Sequence, residues 1–258
     1  MQVTTTGIVI RSKTSGDDRF VTILTPDYGV LDAVARSAGT PRGKLTGATE
    51  LFCYSRMVLF RYRGSNTIDS AEAEESFFDL RKDLEGLALA SYFAQVACEL
   101  APREEEARME LRLLLNCLYL TMRRAKPLAQ IKSIFELRLL TLAGFMPDLT
   151  GCCRCGALQE SGMLFSVEEG TLYCCDCNKP PDATVQISAG VLAAMRHIIY
   201  SDFEKLFSFM LSQESLKELE NLCERYLLTQ MRQNYGTLDF YHSVAAADGG
   251  ASGKREEV

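Results

Sequence analysis

Gly7-Ile8-Val9-Ile10-Arg11, Asp18-Arg19-Phe20-Val21-Thr22-Ile23-Leu24-Thr25 and Val30-Leu31-Asp32-Ala33-Val34-Ala35-Arg36 carry the reading of the fold. The segments Val3 to Arg11, Phe20 to Thr25 and Val30 to Arg36 are rich in Val, Ile and Thr, the residue types that suit a pleated, half-buried surface. Pro26-Asp27-Tyr28-Gly29 supplies a turn between the second and third. Glu50 to Tyr62 is a further run of aromatic and β-branched residues, and Asn66 to Ala73 follows a Gly64-Ser65 turn. Five short strands within residues 1–75 predict a small closed barrel, such as the five-stranded oligonucleotide/oligosaccharide-binding (OB) barrel. The stretch Ser37 to Lys44 holds Gly, Pro and charge with little apolar content, so it reads as an exposed loop.

From about residue 76 the apolar period changes to that of helices. Leu80, Leu84, Leu87 and Ala88 share one face, and Leu111, Leu114, Leu115, Leu118 and Met122 share another. Pro127 opens a third helix at a position where its missing N–H costs nothing, and Gly144 can end it. Ser188 is a good cap for a helix reaching about Tyr200, and Leu216, Leu219, Cys223, Tyr226 and Leu227 stripe a last long helix. The class is therefore α+β: a barrel over 1–78, then a helical domain over 79–244. Residues 245–258 are small and polar and read as a structureless tail.

Within the helical domain lie Cys152-x2-Cys155 and Cys174-x2-Cys177, with Gly156 to Tyr173 between them. This spacing is that of a structural zinc site: each pair turns two thiolates toward one ion, and two pairs close a tetrahedron. Met163 to Tyr173 reads as a hairpin turning at Glu169-Gly170, and Pro180-Pro181 closes a module at about 150–181. One structural Zn2+ is expected. Four thiolates leave no open position for a water nucleophile. Cys153 and Cys175, inside the pairs, either compete for the metal or are spare thiols. A redox role for the pairs would require a thiol of lowered pKa and a cycling disulfide.

The formal charge is −6, which excludes a uniformly basic nucleic-acid binder. Residues 1–66 nevertheless carry nine basic and five acidic side chains, leaving −10 on the remainder. One part of the chain can thus meet phosphate, although a solvated surface gives the same count. An apolar content of 47% suffices for a sizeable core. No apolar run reaches bilayer-spanning length and no secretory signal is visible, so a reducing, cytoplasmic setting without membrane is expected. Neither histidine, His197 nor His242, begins a His-x-Glu element, and no Gly-x4-Gly-Lys-Ser/Thr run is present. The chain is expected not to be an enzyme.

The run GIVIRSKTSGDDRFVTILTPDYGVLDAVARSAGTPRGKLTGATELF (residues 7–52) resembles the start of the bacterial DNA repair protein RecO family. The runs FELRLLTLAGFMPDLTGCCRCG (135–156) and GTLYCCDC (170–177) resemble that family's helix leading into its zinc module. The resemblance implies binding of single- and double-stranded DNA, annealing of complementary strands, and loading of the RecA recombinase onto coated single strands together with RecR. It further implies contact with the acidic C-terminal tail of single-strand-binding protein, with RecF and RecA as additional partners and a nucleoid-associated location.

Annealing requires that phosphate repulsion be neutralised while base edges stay free. The candidates are Arg36, Arg42 and Lys44 in or beside the loop, then Arg11, Arg19, Arg61 and Arg63 near strand ends, and Arg56 in mid-strand. Phe52, Tyr54 and Arg56 could form a row on which bases stack, but a small barrel needs large side chains inside, which favours core for the aromatics. The loop carries only Arg42 and Lys44, fewer cations than the family resemblance implies, and this predicts modest, salt-sensitive binding. A tail dock on the helical domain would draw on Arg112, Arg123, Arg124, Lys132 and Arg138. The alternative reading is a zinc-containing scaffold that binds only proteins.

Overall fold

A computed structural model describes residues 1–158, 162–177 and 184–252, with side chains described as far as 247. All five expected strands form: β1 (Gln2–Ser15), β2 (Asp18–Thr25), β3 (Gly29–Ala35), β4 (Cys53–Tyr62) and β5 (Ser65–Ser76). They close in the order β1-β2-β3-β5-β4, with β4 returning to β1 and β3 pairing parallel to β5. This is the OB arrangement. Val9, Val21, Ile23, Leu31, Ala33, Met57, Leu59 and Ile68 fill its interior.

Two features set which way side chains point. The β1–β2 register shifts between Val9 and Arg11, so Ile10 is bulged. A side-chain period of two would otherwise send Arg11 and Lys13 inward with Val9. The bulge turns both outward. The β4–β5 hairpin turns through Arg63 and Gly64, both at positive φ (48° and 78°). That pair of angles is what a two-residue type I′ turn demands.

The chain divides into two compact units. The first comprises Met1–Ala125 and Tyr235–Val258: the barrel with α1 (Leu84–Leu100), α2 (Arg108–Arg123) and α6 (Gly236–Ser252). Here Gly29 is required, because a Cβ would lie 2.0 Å from the Pro102 carbonyl oxygen where the 101–107 connection crosses the β2–β3 turn. Asp83 caps α1 by accepting from the Gly86 amide at 3.2 Å. Residues 245–252, expected to be structureless, instead continue α6. Ala245-Ala246-Ala247 are the strongest helix formers, and extending a helix avoids a new nucleation cost. Residues 253–258 lie outside the described residues.

The second unit, Lys126–Asn234, holds α3 (Leu128–Leu142), α4 (Ala189–Tyr200) and α5 (Gln213–Met231). Pro127 opens α3, and Ser188 caps α4 by accepting from the Val191 amide, both as the sequence predicts. A small sheet of order β6-β8-β7-β9 joins them: β6 (Asp148–Cys152), β7 (Met163–Ser166), β8 (Thr171–Tyr173) and β9 (Thr184–Ile187). The β7–β8 hairpin turns at Glu169-Gly170 as expected. The edge strands β6 and β9 are too short to show a period and escape the sequence reading. Pro180-Pro181 lies outside the described residues. The hairpin is held on α5 by Phe165 against Tyr226 (ring centroids 5.4 Å apart) and by Gln230 donating to the Val167 carbonyl at 2.9 Å. Among the described residues no helix is long and apolar enough to cross a membrane.

Candidate nucleic-acid interface and metal centre

The strand register writes two rows across the outside of the barrel. One runs Arg11–Thr22–Asp32, the other Lys13–Phe20–Val34–Thr67. Between them opens a groove of about 410 Å³, lined by Arg11, Lys13, Phe20, Thr22, Val34 and the Gly64–Asn66 end of the β4–β5 hairpin. Arg11 and Lys13 are exposed and have no carboxylate partner among the described residues. Asp32 is the one acid in the groove. It accepts from the Thr22 hydroxyl at 2.7 Å and faces Arg103 at 3.4 Å, which offsets its charge.

The loop beside this groove is less open than its composition suggests. Ala38 and Leu45 are buried in the barrel core. Gly39 donates to the Asp17 carbonyl at 2.9 Å, and Thr46 donates from its hydroxyl to the Thr40 carbonyl at 2.7 Å. A Cβ on Gly43 would sit 2.2 Å from the Ser37 carbonyl oxygen. The backbone is thus a folded clasp. Arg36, Arg42 and Lys44 project from it, exposed and without ion-pair partners among the described residues.

The remaining cationic candidates divide. Arg63 is exposed, with its guanidinium 5.3 Å from the Tyr62 ring centroid. Arg19 is spent inside the fold, donating to the Thr46 carbonyl at 2.6 Å and the Thr49 hydroxyl at 3.2 Å, where it braces the clasp. Arg56 pairs with Glu74 at 2.8 Å. Arg61 donates to the Asn66 side chain at 3.0 Å and also pairs with Glu104, over the Tyr28 ring. The Phe52–Tyr54–Arg56 row does not exist. Phe52 lies before β4, at φ 63°, and is 3% exposed. Its positive φ breaks the alternation that a row needs. The outward aromatics are Phe20, Phe60 and Tyr62. A period-two reading of β1 sends Lys13 inward, because the bulge at Ile10 is invisible to it.

In the other unit, the Sγ atoms of Cys152, Cys155, Cys174 and Cys177 all lie within 4.8 Å of one another. Cys155 and Cys174 are 3.7 Å apart. A zinc ion with bonds of about 2.3 Å to four sulfurs has tetrahedron edges of roughly 3.8 Å, so the donor set fits. Backbone geometry prepares it. Gly156, at φ 75°, donates to the Cys152 carbonyl at 2.8 Å, and the Cys152 amide donates to the Ala157 carbonyl at 2.9 Å. Burial opposes ionisation of the Cys152 thiol, but the amides of Cys174, Arg154 and Cys155 outweigh it and bring it down to about 6. Cys177 is pushed well up, first by its contact with Cys174. Thiols this close ionise together only around a cation. Cys153 and Cys175 are exposed and stand outside the four-sulfur cluster.

Of the helical-domain cations, three are committed to the fold. Lys132 is buried against Glu136 and Glu224. Arg138 donates to the Ile198 carbonyl at 3.0 Å. Arg124 bridges Asp83 at 2.7 Å and Glu85 at 2.8 Å. Arg112 and Arg123 are exposed on α2, and Arg123 lies over the half-exposed Tyr119 ring.

Comparison with known proteins supplies the family. Residues 1–77 match the model described as Recombination protein O N terminal, and residues 81–239 match Recombination protein O C terminal. The chain is 34% identical to the DNA repair protein RecO of Acetivibrio thermocellus, over 93% of this chain and 96% of that one. It is 31% identical to the protein of the same name from Symbiobacterium thermophilum, over 93% and 97% respectively. With Dehalococcoides mccartyi RecO it shares 30% identity over 84% of this chain and 85% of the relative. With both halves matched in order and relatives covered almost end to end, the chain belongs to the RecO family of DNA repair proteins.

Proposed function

We propose that this chain is a non-enzymatic mediator of DNA repair by homologous recombination, working in the bacterial cytoplasm on the nucleoid. It binds single- and double-stranded DNA through the barrel, anneals complementary strands, and helps load RecA onto coated single strands together with RecR, with RecF as a further partner. The observation that carries this reading is a set of cations without carboxylate partners among the described residues: Arg11 and Lys13 in the groove, and Arg36, Arg42 and Lys44 on the clasp beside it. Cations free of carboxylates can neutralise phosphate without first breaking an ion pair, and they leave base edges untouched.

Cys152, Cys155, Cys174 and Cys177 would hold one zinc ion whose role is to fold the β6–β9 module. The acidic tail of single-strand-binding protein would dock on α2, where Arg123 and Tyr119 offer charge beside an apolar ring.

The test is annealing of complementary strands coated with single-strand-binding protein, comparing the intact chain with an Arg36→Ala/Arg42→Ala/Lys44→Ala variant. The variant should anneal at least tenfold more slowly. Equal rates would remove the clasp from the DNA path. No acceleration by the intact, zinc-loaded chain would sink the annealing function itself.

A further inference from the structure

Asp18 is a half-buried acid at the head of β2, with no ion-pair partner among the described residues. It stands two residues before Phe20, the register partner of Lys13. A carboxylate in this place weakens the field that draws phosphate to the groove and the clasp. What it gains is one local contact: its Oδ1 accepts from the Ser37 amide at 2.9 Å.

Ser37 is where the clasp begins, and its backbone is left-handed, at φ 56°. Residues other than glycine avoid this region, because Cβ crowds the carbonyl oxygen. Two hydrogen bonds hold it there, the Ser37 amide on Asp18 and the Thr40 hydroxyl donating to the Ser37 carbonyl at 2.9 Å. The turn carries the chain from Arg36 onto the β1–β2 hairpin. There Gly39 lies so close that a Cβ would meet Thr14 Cγ2 at 2.8 Å and the Gly16 carbonyl oxygen at 2.9 Å. Asp17 and Asp18 thus hold the first limb of the clasp, at Gly39 and Ser37, and Arg19 holds the second at Thr46 and Thr49. Arg42 and Lys44 lie between the limbs, and Arg36 precedes the first. Lys13 sits on the other strand of the same hairpin.

We infer that Asp18 is a positioning residue for phosphate capture: through the Ser37 amide it fixes the clasp cations Arg36, Arg42 and Lys44 in one frame with the groove cations Arg11 and Lys13. The inference rests on the proposed DNA-binding role of the barrel and adds to it the group that presets the site. Cations on a loose loop must be ordered as the strand binds, and that entropy is subtracted from affinity. Cations already in place engage several phosphates at once and hold the backbone in one path, with its base edges free for a complement.

Charge and position predict opposite signs for one substitution, which makes the test sharp. Asp18→Ala removes a negative charge, so by charge alone it tightens DNA binding. By position it loosens the clasp. The full chain is compared with Asp18→Ala, Asp18→Asn and Asp18→Ala/Ser37→Gly, all at a temperature where each is folded. The readouts are the annealing rate of complementary oligonucleotides and the salt dependence of affinity for an oligo-thymidine strand. Asp18→Ala should anneal about fivefold more slowly and show a shallower salt slope, since fewer phosphates are engaged together. Asp18→Asn keeps an oxygen for the Ser37 amide and should match the parent. Asp18→Ala/Ser37→Gly should recover much of the loss, because glycine adopts the left-handed turn without a Cβ penalty. Annealing by Asp18→Ala at or above the parent rate overturns the inference and leaves the DNA-binding role standing. An Asp18→Asn variant as slow as Asp18→Ala overturns it as well, since the acceptor is then not what matters, and so does a double variant with no recovery. A parent chain that neither binds nor anneals these strands overturns the DNA-binding role itself.

Discussion

Lys132 and Glu136 lie one turn apart on α3 with no solvent exposure at either side chain, and Lys132 Nζ sits 2.9 Å from Glu136 Oε1. Glu224 of α5 completes the group at 2.6 Å from the same nitrogen. Burial alone would lower the Lys132 pKa, but the two carboxylates outweigh it and hold it above its ordinary value. A buried ion group of this kind fixes how α3 meets α5 more than it stabilises the unit. Lys132→Ala, which strands Glu136 in the interior, should therefore cost about 3–5 kcal/mol in chemical denaturation. Replacing all three by apolar residues of similar volume should cost far less. A small loss for Lys132→Ala would show that water reaches the site.

Asp83 contributes to the acid dependence of the first unit. Its burial raises the carboxyl pKa, but hydrogen bonds from Arg124 and the Gly86 amide outweigh that and hold it below the ordinary value. A depressed pKa in the folded state means that the contribution is complete above the unfolded carboxylate value, about 3.9, and is lost as pH falls through the folded one. Asp83→Asn should thus destabilise at pH 7, chiefly by losing the Arg124 pair, and the gap to the parent should narrow below about pH 3.9. Asp83→Ala also removes the cap on α1, for a loss at pH 7 of about 1–2 kcal/mol. Thermal melts across pH 2.5–7 would check both.

Metal content should follow the four-sulfur cluster and not the count of cysteines. Cys155→Ser or Cys174→Ser is expected to release the metal and loosen the β6–β9 module. Cys153→Ser and Cys175→Ser should retain one zinc per chain, because these thiols lie outside the cluster. Elemental analysis with near-ultraviolet circular dichroism distinguishes the outcomes. Zinc loss from Cys153→Ser would mean that ligands exchange within the pair.

Salt dependence counts the phosphate contacts. Each contact on a single strand adds about −0.7 to the slope of log affinity against log salt, so Arg36→Ala/Arg42→Ala/Lys44→Ala should reduce its magnitude by about 2. Arg19→Ala acts differently, since Arg19 braces the clasp at Thr46 and Thr49. It should lower the melting temperature first. A slope unchanged by the triple substitution would place the phosphates elsewhere.

The five strands and the cluster of four cysteines were legible in the primary structure because their signals are local: alternation along a strand, and two-residue gaps between thiols. Ser188, Pro127 and Gly144 were legible for the same reason, since caps and breakers act within one turn of chain. What remained hidden depends on contacts between residues distant in sequence. Arg11, Arg19, Arg56, Arg61 and Lys132 look alike as cations. Only the fold gives Arg19 the Thr46 carbonyl, Arg56 and Arg61 their glutamates, and Lys132 a dry interior, while leaving Arg11 to solvent. Likewise the bulge at Ile10 and the left-handed turn at Phe52 decide which side chains of β1 and β4 face outward. One inserted residue reverses the alternation from that point on, and the strain or pairing that inserts it belongs to the closed barrel, not to any short stretch of chain.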